Sequence, residues 1–491
     1  MFNTVLFRAL TALGLLAFSY SHAMTLHQIH IITRHGSRYV LTKNHTSLGE
    51  GTSAFLTSTG IQQMHDLGIQ LRDKYSDHFD FLPNYDPQLV YFESSDFDRT
   101  IVSASALASG LFHVENSTVP VHVPVHTFQL ENDLYIRAYD KCSQFTKDLN
   151  ALYKSPEWIQ IQEENDGLLR KLATIRSFQK YADANGRVSL AQVWNVYDAI
   201  YVAKSECESN AQDARVVCES LEDPFVKDVV SDTEFEQLRR LVGKSEFLRY
   251  RTHSAARFVA YNLLARITSR IVFEDAKFSR EDGSAKIYLY SGHYPLLLAL
   301  FAALDHTYSD DGIPNYSTAI VIEVYEDENK EKRVVYNYHG GQGLEDATIQ
   351  SPVRFLGRHC DAESCPFENL LQLVEDWSEK TWCDTCGGNS QVDVCLQYEE
   401  VECEARTGLA TFGGAVLGLV VGIIGMFFWG RVSHEKKAST ASRSTEQPLE
   451  YSPKELSSAQ QDDEHNLTTI STEEAKFEHH DDKSEGGASF L

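Results

Sequence analysis

The chain has 491 residues, of which 42% are hydrophobic and 23% charged, and a formal net charge of −26 at pH 7. This length exceeds that of one average domain and allows a large core. The negative charge argues against nucleic acid and anionic membrane surfaces as partners, because attraction to phosphate at long range needs a net basic field, although a local basic pocket is compatible with it.

The first 23 residues have the parts of a secretory signal peptide. Arg8 is an early basic residue, residues 9–18 are mostly apolar, and Ser21 and Ala23 are small residues at the positions that signal peptidase prefers. We therefore expect a mature chain that begins near Met24 and is delivered to an oxidising compartment.

The mature part begins with a predicted strand that leads into a cluster of basic residues. Residues 26–32 have the pattern of a strand, and Arg34, His35 and Arg38 follow, with Gly36 marking a turn. One loop of this kind can aim an imidazole at phosphorus while two planar guanidinium groups hold phosphoryl oxygens. A surface loop without function is the simpler alternative, but ligands bind at the carboxyl ends of strands in open parallel sheets.

Two more polar clusters follow predicted strands further along the chain. Residues 56–75 have helical spacing, the predicted strand 87–92 leads to Arg99, and the predicted strand 287–290 leads to His293. Arg99 and His293 could complete a phosphate-binding cage with the first loop. Considered alone, Arg99 is more simply interpreted as a solvated or ion-paired arginine. His293 alone is more simply interpreted as a structural histidine.

The alternation of strands and helices predicts an α/β fold with an open, mainly parallel sheet flanked by helices. Residues 143–276 differ, because they contain amphipathic helical patterns, such as residues 190–204, and few strand signals. We interpret this region as an α-helical cap subdomain that is inserted into the α/β domain and frames its cleft.

All nine cysteines lie between residue 24 and residue 406, where disulfides are their expected state. Cys383 and Cys386 have a zinc-ligand spacing, but no second pair follows, so zinc is the weaker alternative. We predict a disulfide between Cys207 and Cys218 only because they are close in the sequence. Since the number of cysteines is odd, one thiol stays unpaired or forms an intermolecular bond. Sequons predict glycosylation, wherever their loops are exposed, at Asn44, Asn116 and Asn315.

The C-terminal part is predicted to cross a membrane once. Residues 407–430 contain no charge over 24 positions, which is long enough for the hydrocarbon core. Arg431, Lys436 and Lys437 follow directly, so the positive-inside rule gives a type I orientation. Residues 431–491 have the composition of a disordered tail.

Glycines recur at a spacing of four in the predicted membrane helix, at Gly414, Gly418 and Gly422. This pattern fits a homodimer formed through closely packed helices, and it fits equally well a flexible packing of small residues.

The segments named above resemble the histidine acid phosphatases, within the wider group that includes the phosphoglycerate mutases. The resemblance covers nearly all of the lumenal domain, which we place at residues 24–385, with a cysteine-containing stalk at 386–406. Its strongest parts are residues 34–38 (RHGSR), residues 94–104 and residues 290–293. The resemblance implies a phosphoglycerate-mutase-like sheet with the inserted cap at about 143–276.

The same resemblance implies roles for the basic residues. His35 would attack phosphorus and become a phosphohistidine, which water then hydrolyses. Arg34, Arg38 and Arg99 would bind the phosphoryl oxygens, and His293 would neutralise charge beside them. The implied substrate is a small phosphomonoester, and neither a metal nor another cofactor is required.

One position departs from the family pattern. Relatives have an acidic residue directly after the second histidine, or one further on, to protonate the leaving oxygen, whereas here Tyr294 and Pro295 follow His293. Tyr294 therefore occupies the position of the proton donor, and Asp133 is an alternative acid. Glu93 stands where relatives often carry arginine.

The resemblance also implies two disulfides, Cys142–Cys383 and Cys360–Cys365. Cys386, Cys395 and Cys403 have no clear counterpart in the family.

The leading hypothesis is a metal-independent acid phosphatase, anchored in a lysosomal, endosomal or surface membrane. Two alternatives stay open: a non-enzymatic ectodomain that binds a ligand or partner, and a mutase-like phosphotransferase.

Overall fold

The structure is a computed structural model in which all described residues belong to a unit spanning residues 1–411. It describes residues 24–41, 54–82, 84–112, 121–207, 209, 211–223, 225–273, 285–306, 312–342, 353–355, 360, 364–387 and 395–396. The predicted signal peptide, membrane helix and C-terminal tail lie outside these residues, as do Asn44, Asn116 and Cys403.

A mixed sheet of eight strands forms the centre of this unit. The strands are β1 (Thr25–Arg34), β2 (Val90–Ser94), β3 (Val125–Thr127), β4 (Ile287–Gly292), β5 (Ala319–Glu326), β6 (Lys332–His339), β7 (Val353–Phe355) and β8 (Cys365–Pro366). Their order is β3-β2-β4-β1-β5-β6-β7, with β8 also paired to β6. The predicted α/β class is confirmed, and β3, β2, β4 and β1 are parallel, while β5 to β8 add an antiparallel part.

Helices cover the sheet and fill the connection between β3 and β4. They are α1 (Ser58–Tyr75), α2 (Asp98–Leu111), α3 (Ala138–Lys141), α4 (Ser143–Leu152), α5 (Pro156–Glu164), α6 (Asp166–Thr174), α7 (Val193–Glu206), α8 (Ala214–Glu219), α9 (Val226–Val229), α10 (Asp232–Tyr250), α11 (His253–Val272), α12 (Tyr294–Ala303), α13 (Phe367–Val374) and α14 (Glu379–Cys386). The described residues from α3 to α11 contain no strand, in agreement with the helical pattern of residues 143–276, and their division into a separate cap subdomain stays a prediction.

The two faces of the sheet bury different sets of apolar side chains. Along β1, Ile29 and Ile31 pack in the cluster that includes α1 and α2, whereas Ile32 packs in the larger cluster that includes the inserted helices and α12. This alternation follows from the period of two in a strand, which sends neighbouring side chains to opposite faces.

Helices α1 and α2 touch backbone to backbone. A Cβ atom added to Gly68 would lie 2.2 Å from Leu107 O, and one added to Gly110 would lie 2.0 Å from His65 O. Both helices follow parallel strands, so their first turns lie at the sheet edge where the predicted polar loops meet.

The disulfides correct one prediction. The structure contains Cys207–Cys218 and Cys360–Cys365, the two pairs expected from the sequence, but it joins Cys142 to Cys386 and Cys383 to Cys395. Cys142–Cys383 is therefore wrong. Cys383 and Cys386 lie about one turn apart on α14. Ser143 Oγ, at the start of α4, donates to Cys386 O at 3.0 Å, and this contact holds Cys386 beside Cys142.

Two other predictions concern the membrane and glycans. Within the described part of the chain, no helix combines the length and apolar character required to cross a membrane. Asn315 is half-buried, and its side-chain amide donates to Gly340 O at 3.3 Å. Glycosylation at Asn315 stays a prediction, and this contact argues against the exposed loop that it requires.

Candidate active site

The three predicted polar loops meet at one edge of the sheet. Arg34, the last residue of β1, is in register with Gly292 at the end of β4, and Ser94 at the end of β2 is in register with Ser291. Because these strands are parallel neighbours, the residues that follow them converge. The His35 and His293 rings are 5.4 Å apart, and both side chains are buried.

His35 has the geometry of a nucleophile. Its Nδ1 lies 2.8 Å from Gly36 O, so Nδ1 carries the proton and donates it, which leaves the electron pair on Nε2. Burial lowers the pKa of His35 well below its usual value, and the charges of the neighbouring arginines, Arg99 before Arg34 and Arg38, lower it further. The imidazole therefore stays neutral in mildly acidic solution, which a nitrogen nucleophile requires.

The loop that carries His35 is held by close backbone packing. A Cβ atom on Gly36 would lie 2.2 Å from Gly60 O, and one on Gly60 would lie 2.1 Å from Ser37 O. Gly36 N also donates to Ser103 Oγ of α2 at 3.2 Å. Gly60 of α1 and Ser103 of α2 thus fix the direction in which the imidazole points.

The three predicted phosphate-binding arginines are all buried beside His35. Arg34 donates to Pro314 O and lies over the Tyr316 ring, with 4.1 Å from its guanidinium carbon to the ring centroid, while its Nε has no hydrogen-bond partner among the described residues. Arg99 lies over the Phe97 ring at 4.4 Å. Several guanidinium groups in a buried site can hold an anion such as a phosphoryl group.

Arg38 is oriented by a carboxylate that the sequence did not reveal. Asp198 on α7 accepts from both terminal nitrogens of Arg38, at 2.9 and 2.8 Å, and from Leu41 N. The two residues are 160 positions apart, so no local spacing links them. One signal was present, since Asp198 is the only charged residue in the apolar run 193–203.

Arg137 is a second residue that sequence reasoning missed. It lies just before α3, and its Nη1 is 3.0 Å from His293 Nε2. Ser95 Oγ is also 3.0 Å from this nitrogen. Neither contact has a sequence signature, because both cross more than 150 residues.

Tyr294 does not point its hydroxyl towards His35 or His293. It is the first residue of α12, and its Oη donates to Glu246 Oε2 of α10 at 2.5 Å. Burial and the Glu246 carboxylate raise the pKa of Tyr294 well above its usual value. The phenol proton is therefore held by Glu246, which makes Tyr294 a poor proton donor.

Asp133 has the properties of a buried acid. Its Oδ1 accepts from Tyr135 N and Ile136 N, and its Oδ2 has no hydrogen-bond partner among the described residues. Burial raises the pKa of Asp133 to about 6, with hydrogen bonds to the backbone and the charge of Arg137 opposing the shift. The carboxyl group is thus mostly protonated below that pH.

Glu93 lies on the face of the sheet covered by α11, where it pairs with Arg266 at 2.8 Å. Among the described residues, no group of three or more His, Cys, Asp or Glu side chains could hold a metal ion. The absence of a metal from the chemistry stays a prediction.

Comparisons with known proteins agree with this geometry. A family model described as "Histidine phosphatase superfamily (branch 2)" matches residues 40–338, a span that begins just after the basic loop. Lysosomal acid phosphatase of Bos taurus is 25% identical over 412 residues, covering 80% of this chain and 88% of its own. Prostatic acid phosphatase of Rattus norvegicus is 24% identical over 358 residues, covering 70% and 82%.

A similar fold is found among solved structures. The phytase of Klebsiella sp. ASR1 superposes with a TM-score of 0.54 at 14% identity, covering 72% of this chain and 96% of the phytase chain. This likeness concerns the fold alone.

Proposed function

Because the chain belongs to branch 2 of the histidine phosphatase superfamily and, within it, to the histidine acid phosphatases, we propose that it hydrolyses small phosphomonoesters through a phosphohistidine on His35. The observation that carries the proposal is the contact of His35 Nδ1 with Gly36 O, which leaves Nε2 as an acceptor among buried arginines. We propose an acidic pH range for the activity because the named relatives are acid phosphatases.

The reaction has two balanced steps. His35 Nε2 attacks phosphorus in line, the P–N bond forms, and the bond from phosphorus to the ester oxygen breaks, so that the alcohol oxygen leaves with the electron pair and takes up a proton. Water then attacks the phosphohistidine, which releases phosphate and restores neutral His35. Arg34, Arg38 and Arg99 neutralise the charge on the phosphoryl oxygens in both steps.

The leaving alcohol needs a proton from a group other than Tyr294, whose hydroxyl donates to Glu246. We infer that Asp133 supplies it. Its Oδ2 has no hydrogen-bond partner among the described residues, and it lies in the field of Arg137, which contacts His293. Its pKa of about 6 keeps it protonated in acidic solution, as a general acid requires.

The nucleophile can be tested with the full-length chain. We expect hydrolysis of p-nitrophenyl phosphate at about pH 5 without added metal, and a loss of at least about a thousandfold in His35→Ala, because this variant lacks the nitrogen that forms the covalent intermediate. The exposed His122→Ala is the matched control and should retain the wild-type rate. Equal rates for wild type and His35→Ala would contradict the proposal.

A second candidate function is a phosphatase-like ectodomain that binds a ligand or partner without turnover. Two observations favour it. Tyr294 and Pro295, rather than an acidic residue, follow His293 in the sequence, and the Tyr294 hydroxyl donates its hydrogen bond to Glu246. The two functions differ in one result: the binding protein would hold inorganic phosphate in the arginine site but would not release nitrophenol.

We also propose the membrane organisation that the sequence predicts. A signal peptide (1–23), a lumenal phosphatase domain (24–385), a stalk (386–406), one membrane helix (407–430) and a cytoplasmic tail (431–491) would give a type I glycoprotein of lysosomes, endosomes or the cell surface. A relative whose name places it in lysosomes supports this compartment. Protease protection of the N-terminal but not the C-terminal part in sealed vesicles would test the orientation.

A further inference from the structure

Arg137 is fixed against His293. The residue is 2% exposed, its Nη1 lies 3.0 Å from His293 Nε2, and its Nη2 donates to the Asp140 carboxylate. The guanidinium also lies over the Phe97 ring, 4.5 Å from the centroid. Three different contacts therefore hold one orientation of a planar, permanently charged group.

This contact determines where His293 carries its proton. A guanidinium has N–H donors and no acceptor, so the hydrogen bond from Arg137 requires an electron pair on His293 Nε2. Ser95 Oγ is 3.0 Å from the same nitrogen and 2.9 Å from Thr100 Oγ1, and its hydroxyl can donate to either. His293 is thus neutral, with its proton on Nδ1.

The other groups around His293 act in the same direction. His35 lies 5.4 Å away between ring centroids, and Arg99 lies over the same Phe97 ring as Arg137, at 4.4 Å. The Asp140 carboxylate accepts a hydrogen bond from Arg137. Tyr294, the next residue in the chain, directs its hydroxyl to Glu246. A second proton on His293 would face Arg137 at hydrogen-bond distance, which Coulomb repulsion opposes.

We propose that Arg137 is a positioning residue that fixes His293 as the neutral Nδ1–H form and itself supplies the positive charge on that side of the phosphoryl group. The activity readout of this proposal rests on the proposed function, whereas its spectroscopic readout does not. This role of His293 differs from the one implied by the family resemblance, in which His293 neutralises charge on the phosphoryl group. Here His293 acts as a neutral hydrogen-bond donor.

The tautomer can be observed directly by ¹⁵N NMR of histidine-labelled full-length protein. We expect His293 to remain neutral with Nδ1 protonated from about pH 8 down to about pH 5, a range in which an ordinary histidine with a pKa of about 6.5 becomes charged. A protonated His293 at pH 5, or a proton on Nε2, would overturn the proposal whether or not the chain is active.

Activity at different pH values separates positioning from simple loss of structure. In Arg137→Met, His293 is free to take a second proton, so kcat/KM should fall roughly a hundredfold at pH 7 and recover to within about tenfold at pH 5, where an imidazolium replaces the lost charge. Arg137→Lys should behave more like wild type at both pH values, because it keeps the charge.

The control for losing one positive charge is Arg215→Met, since the Arg215 side chain is 88% exposed. It should leave both the rate and the pH profile unchanged. An equal loss at pH 5 and pH 7 in Arg137→Met would mean that Arg137 serves the fold alone. Absence of phosphatase activity in every form would contradict the proposed function, and the NMR result would still decide the tautomer.

Discussion

The protonation of single side chains decides which esters this site can cleave. A nitrophenolate leaves without help, whereas an alkoxide is a poor leaving group and needs a proton in the transition state. Asp133 is buried and has a pKa raised to about 6, so it holds that proton in acidic solution and loses it as pH rises through about 6.

We predict that Asp133→Asn slows cleavage of an alkyl phosphate by about a hundredfold at pH 5, but slows p-nitrophenyl phosphate by less than about threefold. The wild-type rate on the alkyl substrate should fall as pH rises through about 6, and the variant should lack this fall. Steady-state rates on glycerol phosphate and p-nitrophenyl phosphate provide the comparison, with the exposed Asp228→Asn as control. Equal slowing on both substrates would remove Asp133 as the donor.

At the same scale, sequence reasoning reached those site residues that follow predicted strands. Arg34 ends β1, and His35, Arg38, Arg99 and His293 each come after a strand; the structure brings all five together. Arg137, Asp198 and Glu246 were not predicted as site residues, because they contact the site from the inserted helices or from residues that flank them. Their partners are distant in sequence, and nothing in local spacing reports such a contact.

At the scale of elements, the contact between α1 and α2 sets the position of the site, because Gly60 of α1 and Ser103 of α2 both contact the His35 loop. The contact tolerates no side chain at Gly68, where a Cβ atom would lie 2.2 Å from the backbone oxygen of Leu107. A backbone atom cannot move aside as the end of a flexible side chain can.

We predict that Gly68→Ala lowers the free energy of unfolding by about 2 kcal/mol, because the two helices must separate. Gly167 in α6 is a matched control, since nothing lies within 4 Å of an added Cβ atom. There alanine should stabilise by about 0.5–1 kcal/mol through its better helix propensity. Urea unfolding of both variants tests the pair, and a neutral or stabilising Gly68→Ala would refute the packing argument.

The regular elements were largely predictable from periodicity. The predicted helix 56–75 is α1 (Ser58–Tyr75), the predicted helix 190–204 is α7 (Val193–Glu206), and the strand expected at 287–290 is β4 (Ile287–Gly292). The antiparallel strands were not foreseen, because β5 and β6 bear no polar cluster that would mark them as part of a site. The sequence could not decide between Cys383 and Cys386 as the partner of Cys142, since the two lie only about one turn apart on the same helix.

At the scale of the whole molecule, buried histidines make stability depend on pH. His339 at the end of β6 is 1% exposed, and neither ring nitrogen has a hydrogen-bond partner among the described residues. Burial, followed by the charge of Lys74, lowers the pKa of His339 to about 4. In the unfolded chain the ordinary pKa of about 6.5 applies, so the unfolded state binds a proton first as pH falls.

We predict that this one residue lowers the free energy of unfolding by about 2 kcal/mol between pH 7 and pH 5, with the loss confined to the window from about 6.5 to about 4. In His339→Gln the dependence on pH should be shallower by that amount, as measured by urea unfolding at both pH values. His122→Gln, at an exposed position, should keep the wild-type slope. A slope unchanged in His339→Gln would show that the side chain is hydrated.

The strand order also has a consequence for synthesis of the protein. β4 lies between β1 and β2 in the sheet, but it follows them in the chain by about 190 residues or more. A ribosome adding roughly 5–20 residues per second therefore delivers β1 and β2 tens of seconds before the strand that joins them. During that interval both nascent strands have unpaired edges that can pair with other strands, so correct folding should depend on chaperones that shield them until residue 292 has emerged.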